Sequence, residues 1–154
     1  MVVVSPAEPQ HLDALAVLLD EMDRYYGAAE LEPPEQRLAQ IKDALFGEVP
    51  AAFALLAWAD DQLVGMASYS FLWPAAGMTR SLYLKELFVA QARQRQGIGK
   101  LLVDNLLAVA AKHGCSRMEW TTDQESAGAQ RFYAELGVPV DTSKLFYRVA
   151  IGGS

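Results

Sequence analysis

A chain of 154 residues with 52% hydrophobic and 21% charged residues has the size and balance of one globular domain able to bury a substantial core. The net charge of -6 argues against a nucleic-acid binder, and the apolar runs break up well before membrane-spanning length. The single cysteine, Cys115, excludes an internal disulfide; together with an N-terminus that lacks the form of a secretory signal, it leads us to expect a cytoplasmic protein.

In chain order, Val2-Val3-Val4 predicts a first strand. Ser5-Pro6-Ala7-Glu8 has the form of a capping box with proline just inside a helix start. Leu12, Leu15, Ala16, Leu18, Leu19 and Met22 then make an amphipathic helix that fades at Tyr25-Tyr26-Gly27, with His11 read as a solvated surface residue. Pro33-Pro34 opens a second helix, whose apolar positions are Leu38, Ile41, Ala44, Leu45 and Phe46 and whose stop is Gly47. Ala51 to Trp58 and Leu63 to Trp73 flank Asp60-Asp61-Gln62 as a hairpin. Phe53 reads as core. Tyr69, Phe71 and Trp73 fit either core filling or the walls of a pocket. Ser81 to Val89 is a central strand, followed by a polar surface bridge, Gln91 to Gln96. A long helix begins near Ile98, with Ile98, Leu101, Leu102, Leu106, Val109 and Ala110 on one face. Arg117 to Thr122 predicts a strand, Ala127 to Leu136 a helix ended by Gly137, and Val138–Val140 and Leu145–Ile151 closing strands. No repeat or linker interrupts the chain, so 1–154 is expected to be a single α+β domain.

The chemistry concentrates where the bridge meets the long helix. Gly97 and Gly99 stand at the helix mouth, flanked by Arg93, Arg95 and Lys100. Helix N-termini leave backbone N–H groups unpaired, the dipole favours negative charge, and glycine lets a phosphate come close. Taken alone, the segment also fits a plain strand-to-helix connection. A dinucleotide fingerprint is excluded because Leu102 stands where its third glycine belongs, and a P-loop because Leu101 follows Lys100. What remains is Gln94-x-x-Gly97-x-Gly99 after Leu87-Phe88-Val89. This resembles the acetyl-CoA signature of the GNAT superfamily of N-acetyltransferases at every fixed position. Ser126-Ala127-Gly128-Ala129-Gln130-Arg131-Phe132-Tyr133-Ala134-Glu135-Leu136-Gly137 resembles the second element of that family, with Ser126 in place of asparagine and Val138 in place of phenylalanine. The central strand and the Leu145-Phe146-Tyr147-Arg148 ending look most like the branch of diamine (spermidine/spermine-type) and thialysine acetyltransferases. Lys85 takes the first of that branch's two acidic places, and only Glu86 remains.

The resemblance implies a mixed, mostly antiparallel sheet of six to seven strands flanked by about four helices. It implies direct acetyl transfer from acetyl-CoA, with no metal, to a primary amine of a small molecule: a polyamine, an amino acid or an antibiotic-like amine. Gln94, Arg95, Gln96, Gly97, Ile98, Gly99 and Lys100 would hold the pyrophosphate, and Leu87, Phe88 and Val89 the pantetheine, with Val89 N–H a candidate oxyanion donor. Ser126, Ala129, Phe132 and Tyr133 would complete the cofactor contacts. Tyr133 is the implied general acid for the CoA sulfur. Glu86 is either the general base, acting through water, or a salt-bridged or pocket-lining residue. Tyr25, Tyr26 and Glu30 match the acceptor-contacting region or are exposed helix-end residues. Tyr69, Phe71 and Trp73 hint at a closed acceptor pocket. His113 is assigned nothing. The competing readings are a protein or peptide N-acetyltransferase and a non-catalytic acyl-CoA-binding sensor. A homodimer is expected because many relatives dimerise; nucleic-acid and membrane partners are not.

Overall fold

The structure, a computed structural model, describes residues 1–152, and the chain divides into two units, Met1–Thr121 and a second that begins at Thr122. The first unit carries the sheet. Its elements are β1 (Val2–Pro6), α1 (Leu12–Tyr25), α2 (Pro34–Phe46), β2 (Phe53–Ala59), β3 (Gln62–Leu72), β4 (Arg80–Val89), α3 (Ile98–Lys112) and β5 (Cys115–Glu119). The strands pair in the order β1-β2-β3-β4-β5, antiparallel throughout except for the parallel β4–β5 pair. The β2–β3 hairpin turns on Asp60-Asp61, with Asp60 at φ 54, a conformation aspartate tolerates better than most residues.

Each face of the sheet has its own core. On one face, Leu55, Ala57, Val64, Ala67, Leu82 and Leu84 pack with Ile98, Leu102, Leu106 and Ala110 of α3. On the other, Leu56, Met66 and Phe88 pack with Leu15, Leu18 and Met22 of α1, and Ile41 and Leu45 of α2 lie against them. The helical spacing of these positions is why the helices form where they do. Each fully buried leucine contributes roughly 1.5–3 kcal/mol. No helix of the described residues is long and apolar enough to cross a membrane.

Two expectations for the N-terminal part are corrected. The helix starts at Leu12, because β1 runs on through Ser5 and Pro6 in register with Leu56 and Leu55. The capping box is made instead by Glu8 and His11 around a short 3₁₀ turn, Pro9–His11. His11 is also no free surface residue. Its Nδ1 accepts the Glu8 N–H at 3.0 Å, and its ring lies 5.1 Å from that of Trp58.

The second unit contains α4 (Ala127–Glu135), which ends before Gly137 at φ 81. The expected strands at Val138–Val140 and Leu145–Ile151 are absent, so the described residues form five strands rather than six or seven. Apolar alternation can mark a strand candidate, but a strand exists only where its backbone finds a partner. Here Leu145, Phe146, Tyr147, Val149 and Ile151 are 63–89% exposed and make no ladder, and Pro139 has no N–H to give one.

Candidate active site

The site begins where β4 loses its neighbour. β5 pairs only with Arg80–Tyr83, whereas β3 follows β4 all the way to Val89. Beyond Tyr83 the β5 side of β4 is therefore open. Ala90 N–H donates to Val64 O at 2.8 Å, so by antiparallel alternation the N–H and C=O groups of Leu87 and Val89 point away from β3, toward the open side. The ladder skips Lys85, with Ser68 opposite Glu86 and Tyr69 opposite Leu84. This bulge reverses the alternation along β4. Leu82 and Leu84 face α3, whereas Phe88, and with it half-buried Glu86, faces α1.

The cradle loop follows directly. Gln91–Arg93 forms a 3₁₀ turn, Arg95 sits at φ 65, and Gly97 caps α3 from the left-handed region at φ 84. Left-handed and helical residues in succession turn neighbouring N–H groups toward one concavity. No side chain caps α3, so the N–H groups of its first turn (Ile98, Gly99 and Lys100) are left for a ligand. A Cβ on Gly97 would meet nothing within 4 Å, so the space before it is open. Gln94 Nε2 donates to Val89 O at 3.2 Å, tying the loop to the open end of β4. Lys100 pairs with Asp104 at 2.7 Å, and both are exposed. Its charge is thus partly answered already, and such a pair adds little stability. These features suit a pyrophosphate with a linear amide-bearing arm: donors at the loop for the anion, strand-edge groups for the amides.

On the α1 side, Glu21 Oε2 accepts the Gln91 N–H at 2.8 Å, holding that helix beside the loop. Tyr25 and Tyr26 stand 5.7 and 6.4 Å from the Phe88 ring. Next to them a surface depression of about 360 Å³ is lined by Val17, Glu21, Arg24, Tyr25 and Gln91. The face that carries Glu86 therefore also carries Tyr25 and Tyr26, and Glu30 follows on the exposed segment before α2. Arg37 of α2 binds Asp20, Asp23 and Glu32, all within 2.8 Å. The hydrogen bond that Arg37 donates to Asp23 does most to raise the guanidinium above its ordinary value. Backbone hydrogen bonding, and then Arg37, hold Glu32 below its own.

Not every candidate joins this group. Phe88 is 3% exposed and its side chain belongs to the α1-side core. Tyr69 is buried in the α3-side core, where desolvation raises its hydroxyl pKa. Phe71 packs against that core, and Phe53, expected in the core, is instead 40% exposed, its ring 5.7 Å from that of Tyr69. Phe71 lies opposite Leu82, between Arg80 and His113. Leu82 and Val89 are seven residue steps apart on β4, about 20 Å at strand rise. Trp73 is exposed in the loop after β3, with its Nε1 donating to Met78 O. These three aromatics are thus separated from Glu86 by the sheet or by its length.

In the second unit, Ser126, Ala129, Phe132, Tyr133 and Leu136 form the half-buried face of α4. The Phe132 and Tyr133 rings stand edge to face at 5.1 Å. Ser126 occupies the N-cap position without a side-chain cap bond; Gln130 instead donates to the carbonyls of Asp123 and Gln124.

Three features escaped the sequence reading: the Lys85 bulge, the Arg37 cluster and Gly65. Gly65 lies opposite Val89, and a Cβ there would come within 3.2 Å of Ile98 and 3.3 Å of Leu102. It lets the first turn of α3, and so the cradle, sit close on the sheet. An isolated glycine inside a strand is the signal that pointed to it.

Comparison with known proteins bears on the same segments. The family model described as "Acetyltransferase (GNAT) family" matches residues 15–138. An L-ornithine N5-acetyltransferase of Arabidopsis thaliana is 29% identical over 68 residues, 44% of this chain and 30% of that protein, so the chain matches under a third of that relative's length. An aminoglycoside N(6')-acetyltransferase type 1 of Serratia marcescens is 25% identical over 77% of this chain and 83% of its own length. Among solved structures, an integron cassette protein from the mobile metagenome of V. cholerae superimposes with a TM-score of 0.91 at 26% identity, covering 99% of this chain and 93% of that one.

Proposed function

The chain belongs to the acetyltransferase (GNAT) family, and from that premise we propose that it transfers the acetyl group of acetyl-CoA to a primary amine of a small molecule. We read 1–154 as one acetyltransferase domain, a reading supported by a family match that spans both motifs. The observation that carries the proposal is the uncapped first turn of α3 behind Gly97, set beside the open edge of β4.

When bound, acetyl-CoA supplies a thioester whose acyl carbon can accept an amine and whose thiolate can leave. The first-turn N–H groups of α3 hold its pyrophosphate, and the Leu87 and Val89 backbone orients the arm. Val89 N–H is directed to donate to the thioester oxygen. Glu86, directly or through a water, takes the proton that an alkylammonium must lose before its nitrogen has a lone pair. Resemblance to the family's second motif supports Tyr133 as the acid that gives a proton to the departing sulfur. One N–C bond forms and one C–S bond breaks. Of the two protons the ammonium nitrogen loses on becoming an amide, one goes to Glu86 and on to water, and the other leaves the tetrahedral adduct and replaces the one given to the sulfur.

The acceptor side is supported by Tyr25, Tyr26 and Glu86 on one face, where rings and carboxylates suit a cationic amine. Tyr69, Phe71 and Trp73 are not assigned to it. Polyamines, basic amino acids such as ornithine, and amino-sugar antibiotics are the classes to test. A cytoplasmic homodimer remains part of this proposal, on the single cysteine and the habit of relatives.

The test is release of CoA thiol against a panel of polyamines, amino acids, aminoglycosides and short peptides, for wild type and Tyr133→Phe. Turnover with one amine class that falls about 10²–10⁴-fold in the variant, at similar KM, supports the assignment. Tight acetyl-CoA binding without turnover on any acceptor would replace it with an acyl-CoA sensor.

A further inference from the structure

Arg37, near the start of α2, has a side chain only 13% exposed, with three of its nitrogens each on a separate carboxylate. Nε donates to Asp20 at 2.8 Å, Nη2 to Asp23 at 2.7 Å and Nη1 to Glu32 at 2.8 Å. Asp20 and Asp23 lie one turn apart on α1, so two arms lock α1 to α2. The third arm reaches the segment between them. Tyr25, Tyr26 and Glu30 all fall between Asp23 and Glu32, so the arms bracket the stretch whose two tyrosines lean on Phe88 at the end of β4.

We propose that Arg37 is a positioning residue for the amine acceptor, acting through the Tyr25–Glu32 segment rather than by touching the reacting atoms. The planar guanidinium suits the task. It offers donors in fixed directions, which lysine cannot reproduce. Three carboxylates around one cation also leave this corner net negative, which favours a cationic acceptor over a neutral or anionic one. The inference rests on the acetyltransferase reading above.

The discriminating variant is Glu32→Gln. It weakens only the arm that holds the segment and leaves Arg37 on Asp20 and Asp23, so the helix pair stays locked. Arg37→Lys removes the fork and tests the whole device. The KM of the acceptor and the KM of acetyl-CoA are measured separately, together with the melting temperature. Glu32→Gln raises the acceptor KM by about three- to tenfold, a loss of one charge-assisted hydrogen bond, with acetyl-CoA KM and melting temperature essentially unchanged. Arg37→Lys raises the acceptor KM further. An acceptor KM that does not move in either variant, or an acetyl-CoA KM that rises in parallel, overturns the positioning role while the acetyltransferase reading stands. Wild-type protein that binds acetyl-CoA without acetylating any amine overturns both.

Discussion

Gly65 is the position where stability and cofactor binding can be tested with a single methyl group. Its Cα lies opposite Val89, and an added Cβ would stand 3.2 Å from Ile98 Cγ2, 3.3 Å from Leu102 Cδ1 and 3.3 Å from Phe88 O. Carbon pairs prefer about 3.5–4.0 Å, so Gly65→Ala must push something by a few tenths of an ångström. Phe88 O is backbone held in the sheet, so α3 is the part that yields. Overpacking of this kind costs about 1–3 kcal/mol. The alanine's smaller unfolded-state entropy returns about 0.5–1 kcal/mol. The net loss is about 0–2.5 kcal/mol, and a value near 1 kcal/mol lowers the melting temperature by roughly 2–4 °C for a chain of this size. Since Ile98 opens α3, the shift also carries the cradle N–H groups off their mark, and acetyl-CoA KM should rise about two- to fivefold, equivalent to a loss of less than 1 kcal/mol. Calorimetry and steady-state kinetics measure the two effects. Gly128→Ala is the control: a Cβ there meets nothing within 4 Å, and inside α4 it should stabilise by about 0.5–1 kcal/mol. If Gly65→Ala is as stable as wild type and its acetyl-CoA KM is unchanged, close seating of α3 on the sheet is not what holds the cradle.

Three further substitutions separate backbone strain from ligand approach and weigh the polar link between β4 and β5. Gly97→Ala places a side chain at φ 84 and should cost about 1–2 kcal/mol, with acetyl-CoA affinity falling at least about tenfold. Gly97→Asn, which tolerates that conformation better, should recover stability without recovering affinity; isothermal titration that finds both restored would show the missing Cβ to be irrelevant to binding. Ser81 is 1% exposed and donates to Glu119 Oε2 at 2.5 Å, beside the point where β5 parts from β4. Ser81→Ala should lower stability by about 1 kcal/mol, the loss of one hydrogen bond, since Glu119 is 41% exposed and keeps Arg117 at 2.9 Å. Chemical denaturation should show the midpoint falling with the slope unchanged.

How far the sequence could be read depended on the range of each interaction. The face of α3 was legible because Ile98, Leu102, Leu106 and Ala110 repeat within one helix, and all four are buried in the α3-side core. The cradle loop was legible for the same reason. The conformations of Arg95 and Gly97 and the bare first turn of α3 are set within a handful of residues. The α1 start was misread because Ser5-Pro6 met a local rule for capping, while pairing of β1 with β2, about fifty residues away, kept that stretch extended. The aromatics of β3 were grouped by proximity in sequence. Period-two alternation and the length of the strand then put Tyr69 and Phe71 on the face opposite Glu86.

By itself the sequence determined the helices with a sustained apolar stripe, the hairpin at Asp60-Asp61 and the glycine-bearing loop that opens α3. Each is encoded by neighbours whose spacing survives in any tertiary context. Only the tertiary structure decided which way Glu86 faces, where β4 opens, why position 65 is glycine and how Arg37 gathers three carboxylates. It also decided that Val138–Val140 and Leu145–Ile151 form no ladder among the described residues. A bulge, a fork between strands or a buried ion cluster depends on which distant backbone lies alongside, and residue spacing along one segment carries no record of that partner.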